Sequence, residues 1–286
     1  MTLPRLVSAS EHEGVRPVSS AELVRPQAAA DEIIPSASGQ AIGAAAADQG
    51  VLTASASDGI IARPAVQGVG GAAADKLYTR GFKNLFGIYT VATEYMDDTL
   101  EMLKDKSPKP ETVAIVYSND LFSAQVAQGA KASAEKYGYK IVFYQDYPKG
   151  TQDLSTVIVN IKGKNPDIIL GCGHFQDTII IVKQLKDYKV NPRALAFSVG
   201  PTLSDFVESL KGDSENVMGS AQWTSTLKYK DPVFGSNQEF VKAYKAKYNE
   251  DPNYHSAGGA SAAVIFQKAI EKAGTRDDIS KIREAL

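Results

Sequence analysis

Five runs rich in β-branched, aliphatic and aromatic residues recur between residues 112 and 223 of the chain. They are Thr112 to Tyr117, Tyr139 to Tyr144, Asp167 to Cys172, Ala194 to Val199 and Val217 to Trp223. Their starts are 27, 28, 27 and 23 residues apart, which leaves room for one helix in each gap. This spacing predicts parallel strands joined by right-handed crossovers. The fold class predicted from the pattern is a doubly wound α/β layer.

The segments between these runs carry helix signals. Ser118, Asn119 and Asp120 precede apolar positions that step by three or four residues, and Gly138 marks the end of that predicted helix. Thr93 is the predicted N-cap of a preceding helix that runs to Lys106. Further helices are predicted at Gln152 to Ile161, Gln176 to Tyr188, Thr202 to Lys211, Gly235 to Tyr248, Ser256 to Ala273 and Asp277 to Leu286. After Trp223 only helices are predicted, so we expect hinges there and near Tyr89.

Loops that follow the strands are where function is expected. In open α/β sheets, small ligands bind beyond the carboxyl ends of the strands. The loops in question are Ser118 to Phe122, Gly173 to Asp177 and Gly200 to Thr202.

The composition changes near residue 70. Every Lys, Tyr, Phe, Trp and Asn lies after Gly71, and the preceding stretch consists largely of Ala, Ser, Gly, Val, Pro and Arg. Residues 1–30 are therefore predicted to be a disordered or non-native leader. One interpretation is a flexible Ala-rich leader; the other is a segment that is truncated, fused or read in a different frame.

Charge and hydropathy exclude several classes of protein. A net charge of −2 and a pI near 6.0 give no basic face for nucleic acid. No apolar run reaches the length of a membrane span, and the first residues contain no uninterrupted hydrophobic stretch of the kind found in secretion signals. The single cysteine, Cys172, cannot form an internal disulfide and is predicted to be buried in a strand.

The sequence gives little support for a catalytic, metal-binding or nucleotide-binding motif. The histidines His12, His174 and His255 show no metal-ligand spacing, so neither a metal nor a cofactor is predicted. Cys172 and His174 are the one hint of a thiol nucleophile with a base, although nothing evident lowers the thiol pKa. GCGHFQ lacks the third glycine of a dinucleotide loop, and no P-loop motif occurs. The pairs Asp97/Asp98 and Asp277/Asp278 are interpreted as solvated helix positions.

The loops suit the binding of a small organic molecule instead. Gly71 to Ala74 would bring bare backbone close to a ligand, while Ser118 and Asn119 offer hydrogen bonds. Apolar walls with polar edges are offered by Phe122, His174, Phe175 and Trp223. The alternative for Phe122 and Phe175, taken singly, is that each is a core residue at a helix entry.

Several segments, in order and spacing, resemble a known family. They are GGAAADKLYTRGFKNLFG, VAIVYSNDLFSAQVAQG, the GCGH strand end, VMGSAQW and DPNYHSAGGASAAVIFQKAIEKAG. Together they resemble the type I periplasmic binding proteins of the branched-chain amino acid and amide group, which serve ABC importers. The resemblance implies two α/β lobes that close on a ligand: residues 31–88 with 224–286 as a first lobe, incomplete here, and residues 89–223 as the second.

The same resemblance implies positions for the ligand site. The backbone-binding turn of the first lobe falls on Gly71, Ala72 and Ala73, with alanine in place of the usual hydroxyl. The family's aromatic residue falls on Phe122 and its loop tyrosine on His174. The acidic residue that meets an α-ammonium group would fall near Gly200, where the local run has no carboxylate.

These observations lead to an expectation for the ligand. An unpaired buried ammonium is costly, so an amide, a urea-like compound or a small carboxylate is expected in preference to an ordinary α-amino acid. His174 is expected to adjust its charge to an anion of that kind.

The function expected from the resemblance is that of a non-enzymatic, periplasmic solute-binding protein. Its partners would be a small-molecule ligand and the membrane permease of an ABC importer, and we expect a monomer. The first alternative is a ligand-sensing domain of a regulator or receptor with the same fold. The second is an enzyme of doubly wound fold that uses Cys172.

Overall fold

The computed structural model of the protein describes the backbone of Gly68–Gly70 and residues 73–286. The strands of this part of the chain are β1 (Gly68–Gly70), β2 (Leu85–Gly87), β3 (Thr112–Ser118), β4 (Lys140–Tyr147), β5 (Ile168–Cys172), β6 (Ala194–Phe197), β7 (Val217–Gly219), β8 (Lys230–Asp231) and β9 (Gly235–Ser236). The α-helices are α1 (Asp75–Tyr78), α2 (Asp97–Lys104), α3 (Leu121–Lys136), α4 (Ser155–Lys164), α5 (Phe175–Asp187), α6 (Ser204–Leu210), α7 (Asn237–Tyr248), α8 (Tyr254–Ala273) and α9 (Ile279–Ala285).

The chain divides into two compact units. Unit 2 is the continuous segment Thr90–Ala221, and unit 1 contains the described residues up to Tyr89 together with Gln222–Leu286. Residues 1–67, which include the predicted leader, lie outside the described part of the chain.

Unit 2 is built on a five-stranded parallel sheet. Its strand order is β4-β3-β5-β6-β7, and every neighbouring pair is parallel. The strands begin close to the predicted positions, and a helix fills each crossover from β3 to β7. The predicted doubly wound α/β fold class is therefore confirmed.

The core of unit 2 covers both faces of the sheet. One face packs against apolar side chains of α4, α5 and α6, such as Ile158, Val182 and Phe206. The buried face of α3, with Val126 and Ala130 fully covered, is not part of that cluster. A right-handed crossover from β3 to β4 places α3 on the opposite face. Central strands covered on both faces explain the near-continuous apolar runs in the sequence.

Two predicted boundaries in unit 2 are wrong for identifiable reasons. The helix predicted from Thr93 begins at Asp97, because Ala92–Glu94 forms a separate 3-10 turn. The fifth run was predicted to extend to Trp223, but β7 ends at Gly219. Its partner β6 ends at Phe197, whose carbonyl accepts a last hydrogen bond from the Ser220 N–H at 3.1 Å.

Unit 1 contains less sheet within its described residues. β1 pairs with β2 in parallel, and β8 pairs with β9 antiparallel. The latter pair corrects the prediction that only helices follow Trp223. Asp231 accepts hydrogen bonds from the N–H groups of Val233 and Phe234, at 2.8 and 2.7 Å, and closes the turn. Two-residue strands carry no periodicity that a sequence pattern could reveal.

Candidate ligand-binding site

The strand order of unit 2 creates a crevice between the carboxyl ends of β3 and β5. From these neighbouring strands the chain continues into α3 and α5, which lie on opposite faces of the sheet. Such a switch point is where open α/β sheets bind their ligands. The first turns of α3 and α5, with Asp120 and His174 as their N-cap residues, border this crevice.

Asp120 and His174 meet across the crevice. The Asp120 Oδ2 atom lies 2.9 Å from His174 Nε2, and each side chain is 15% exposed. Asp120 also accepts hydrogen bonds from the Ser123 N–H at 3.1 Å and the Ser123 hydroxyl at 2.8 Å. Burial disfavours the charged carboxylate, but the hydrogen bonds from His174 and Ser123 outweigh burial and hold the pKa of Asp120 well below its usual range. Asp120 is therefore a carboxylate at neutral pH.

An aromatic row lines the same position. The rings of Phe122 and His174 are stacked, with centroids 5.8 Å apart and planes 26° from parallel. Tyr95 meets Phe122 edge-on, with ring centroids 5.3 Å apart. Phe122 is only 5% exposed, so its ring supports the histidine more than it offers open surface.

The loop after β5 is held in place by hydrogen bonds with α5 and with the residue after β6. The His174 N–H donates to Asp177 Oδ2 at 2.8 Å, and burial raises the pKa of that carboxyl above its usual value. The Ser198 hydroxyl accepts from the Gly173 N–H at 3.1 Å and donates to the Gly173 carbonyl at 3.0 Å. A Cβ at Gly173 would lie 2.6 Å from the Tyr147 hydroxyl, so only glycine fits this close approach. These contacts fix the position of His174 at the carboxyl edge of the sheet.

Two buried hydroxyls lie next to this loop. Ser118 and Tyr147 are register partners at the ends of β3 and β4, and the Asn119 N–H donates to the Tyr147 carbonyl at 2.8 Å. Within the described part of the chain, neither the Ser118 Oγ nor the Tyr147 hydroxyl makes a hydrogen bond. Ser118 is fully buried, so this predicted ligand contact lies beneath the surface, whereas Asn119 is exposed.

The other predicted site residues of unit 2, Phe175 and Gly200, are in close contact with neighbouring side chains. Phe175 is half-buried and packs against the main core cluster. Gly200 has φ +124°, a value that favours glycine, and a Cβ there would lie 3.1 Å from the Thr178 methyl group. Neither observation tests a role in binding, and both assignments stay predictions.

The remaining predicted site residues belong to unit 1. Gly71 and Ala72 are outside the described residues, and Ala73 is 2% exposed. The Trp223 indole N–H donates to Asn237 Oδ1 at 3.1 Å, and its ring meets Phe240 edge-on. Trp223 also lines a cavity of about 490 Å³ bordered by apolar residues of α7 and α8.

The groups considered for catalysis are buried or already hydrogen-bonded within unit 2. Cys172 is fully buried, and burial raises the pKa of its thiol, which keeps the thiol protonated. Asp97, Asp98 and Glu101 bring carboxylate oxygens within 4.8 Å of one another, but Asp97 already accepts hydrogen bonds from the hydroxyls of Ser133 and Tyr137. None of the helices in the described part of the chain is long and apolar enough to cross a membrane.

Sequence reasoning recognised Asp120 only as a helix cap. Its partner His174 is 54 residues away in the chain, and the contact exists because β3 and β5 are neighbours in the sheet. The signal available was the pair of polar N-cap positions after these two strands. The fold of unit 2 is a doubly wound α/β layer whose switch point lies between β3 and β5.

A family comparison makes this assignment specific. The model of the family described as periplasmic binding protein matches residues 27–286, and the chain belongs to this family. The resemblance noted from the sequence is thereby confirmed. The family consists of extracytoplasmic substrate-binding proteins rather than enzymes.

Curated relatives carry names that concern branched-chain amino acids. The chain is 25% identical over 234 residues to "Leu/Ile/Val-binding protein homolog 7" of Brucella suis, which covers 76% of this chain and 56% of the relative. It is 26% identical over 211 residues to homolog 8 of Brucella abortus, which covers 69% and 51%. The chain thus spans about half the length of the curated relatives it matches.

Solved structures share the fold. A leucine binding protein from Thermotoga maritima matches with a TM-score of 0.66 and 20% identity, over 77% of this chain and 61% of that one. A solute binding protein of an ABC transporter from R. palustris, in complex with benzoate, matches with a TM-score of 0.62 and 17% identity, over 76% and 58%. At these identities the likeness concerns the fold alone.

Proposed function

We propose that this chain is a solute-binding protein of an ABC importer, which captures a small molecule and delivers it to a membrane permease. Membership of the periplasmic binding protein family supports the solute-binding role. Names of relatives and structural neighbours that mention Leu/Ile/Val binding and ABC transporters support the importer as partner. The family also supports a periplasmic location.

The observation that carries the proposal is the crevice between β3 and β5. It places two polar side chains, His174 and Asp120, at the switch point of the sheet, and the buried ring of Phe122 supports the His174 ring from behind. The buried thiol of Cys172 and the engaged carboxylate of Asp120 leave binding, rather than turnover, as the chemistry that this edge supports.

The ligand class proposed is a small amino acid, amide, urea-like compound or small carboxylate. Contacts expected from the family resemblance at Gly71, Ala72 and Ala73 form part of the proposal. If backbone N–H groups there hold the ligand, Ala73→Pro should abolish binding without unfolding unit 2. Retained affinity in that variant would remove this turn from the site.

A thermal-shift screen tests the function. A ligand that binds only the native state raises its stability by mass action, by about 2.7 kcal/mol at a concentration of 100 Kd. The screen would compare leucine, isoleucine, valine, benzoate, short amides and ureas, with calorimetry on every hit. The expected result is at least one hit with a Kd in the micromolar range or below.

Matched variants locate any hit. His174→Gln should weaken binding by about tenfold or more, because it removes the stacked ring. Tyr229→Ala removes an aromatic ring that is 67% exposed and is not among the predicted site residues, and should leave the affinity unchanged. Equal affinities in all three proteins would place the ligand away from the crevice.

A further inference from the structure

Asp120 makes more contacts than a helix cap requires. Two hydrogen bonds from Ser123 would satisfy its role at the start of α3. The same carboxylate also reaches His174 Nε2, on the first turn of a different helix, at 2.9 Å. The third contact joins the two helix N-termini that border the crevice.

His174 is fixed by three groups as a result. Asp120 holds the ring at Nε2, Phe122 stacks against its face, and Asp177 accepts from its backbone N–H at 2.8 Å. The ring nitrogen that an anion would contact at Nε2 is therefore already bonded to a carboxylate. The expectation from sequence that His174 adjusts its charge to a bound anion stays a prediction.

Charges around His174 are mainly acidic. The carboxylates of Asp120 and Asp177 flank it, from α3 and α5 respectively. Lys149, in the loop after β4, is the lysine that acts on Asp177. Since Asp120 is ionised and directly bonded to the ring, a solute carboxylate placed at His174 meets a like charge.

We infer that Asp120 is a positioning and specificity-determining residue for solute binding: it occupies His174 Nε2, so the crevice accepts an N–H donor group and discriminates against a carboxylate. The inference rests on the proposed function and narrows its ligand class. Amide, urea or ammonium ends of a solute fit this edge, because each donates hydrogen bonds towards acceptor oxygens.

A pair of isosteric probes tests the inference. 4-Methylpentanamide and 4-methylpentanoate differ in a neutral donor end against an anionic end, and calorimetry would measure both Kd values. Wild-type protein should bind the amide about tenfold more tightly or better, since one close charge is worth at least one decade. In Asp120→Asn the preference should fall to about threefold or less. Asparagine keeps a good N-cap for α3.

Asp153→Asn is the matched control. Asp153 accepts from the Ser155 N–H at 2.8 Å and from the Ser155 hydroxyl at 3.1 Å, as Asp120 does from Ser123, but no histidine contacts it. The variant removes the same charge and should leave the amide preference unchanged. If Asp120→Asn does not fold, Asp120→Ser also keeps a capping side chain and removes the charge.

A second measurement follows the ring itself. Nitrogen-15 NMR of the imidazole should show a hydrogen-bonded Nε2 at His174 in wild type and in Asp153→Asn, and its loss in Asp120→Ser, whose shorter side chain does not reach the ring. Wild-type protein that binds the carboxylate as tightly as the amide would overturn the inference and leave the proposed function standing. Binding of neither probe, with no hit in the thermal-shift screen, would overturn both.

Discussion

The two units of this chain differ in how completely their described residues form a sheet. Unit 2 has five parallel strands, helices on both faces and a core in which Ile115, Ile169 and Leu170 are fully buried. Unit 1 has two short strand pairs, a smaller cluster around Phe240 and Tyr244, and a cavity of about 490 Å³. The contrast teaches that the regular spacing of strand-like runs in the sequence marks a densely packed unit. Core substitutions should therefore destabilise unit 2 more than unit 1.

The largest expected difference concerns glycines at close contacts. A Cβ at Gly129 in α3 would lie 1.9 Å from the backbone carbonyl oxygen of Thr93, whereas a Cβ at Gly258 in α8 would meet the ring of Tyr89, which can move. We expect Gly129→Ala to lower the free energy of unfolding of unit 2 by about 3 kcal/mol, and Gly258→Ala to cost unit 1 about 1 kcal/mol.

Gly163→Ala, in α4, is the control for this pair. Nothing lies within 4 Å of a Cβ at that position, so the better helix propensity of alanine should stabilise unit 2 by about 0.5–1 kcal/mol. Urea unfolding would follow unit 1 by Trp223 fluorescence and unit 2 by hydrogen exchange of its strands. Equal costs at Gly129 and Gly258 would contradict the contrast between the units.

Acid should separate the units next. Burial lowers the pKa of His255, in unit 1, from 6.5 to about 4. As the pH falls below 6.5, the unfolded state takes up the proton first, so unit 1 loses stability down to about pH 4. The loss is at most about 3 kcal/mol, and smaller to the extent that water reaches this partly buried ring.

In unit 2 the pKa of Asp120 is lowered, so its hydrogen-bonded carboxylate keeps its contribution to stability above the unfolded value of 3.8 and loses it only as the pH falls further. Urea unfolding at pH 7, 5.5 and 4.5 should therefore weaken unit 1 more than unit 2. His255→Gln should flatten the pH dependence of unit 1. An unchanged slope in that variant would assign the acid sensitivity to another group.

One identical truncation compares the two cores. Val116 in β3 is fully buried, while Val264 in α8 is 8% exposed and borders the cavity. Val116→Ala should cost about 2 kcal/mol, because it leaves a void in a closed core. Val264→Ala should cost about 0.5 kcal/mol, since it enlarges an existing cavity and gains helix propensity. Similar costs, measured by urea unfolding, would mean that the cavity is filled in solution.

A further small effect concerns an exposed cap in unit 1. The Ser236 hydroxyl accepts from the Glu239 N–H, and the Glu239 carboxylate accepts from the Ser236 N–H at 2.7 Å. Ser236→Ala should destabilise unit 1 by about 1 kcal/mol, as is usual for a lost N-cap. Ser236→Thr keeps the hydroxyl and should restore most of that loss in thermal melts.

The sequence predicted the parallel layer because central strands are apolar on both faces and recur with the length of one crossover. It placed Asp120 at the start of α3 correctly, since a cap is a local feature. It could not predict the bond from Asp120 to His174, which depends on the order of the strands. The end of β7 at Gly219 was likewise missed, because it is set by where β6 ends.

For the candidate site, residue types indicated the loops but not the depth of each side chain. Ser118, predicted to contact ligand, is buried, and Phe122 supports His174 instead of standing open. Such depth depends on packing against β4 and Tyr95, which no local pattern encodes. The roles of Gly71, Ala72, Ala73, Gly200 and Trp223 stay predictions.

The position of Cys172 has a practical consequence. The chain has one cysteine, and it is fully buried in the central strand β5 of unit 2. A maleimide reagent can reach this thiol only when unit 2 opens. The labelling rate of unmodified protein therefore measures how often unit 2 opens far enough to expose β5. Ligands that bind in the crevice between β3 and β5 should slow the labelling of Cys172.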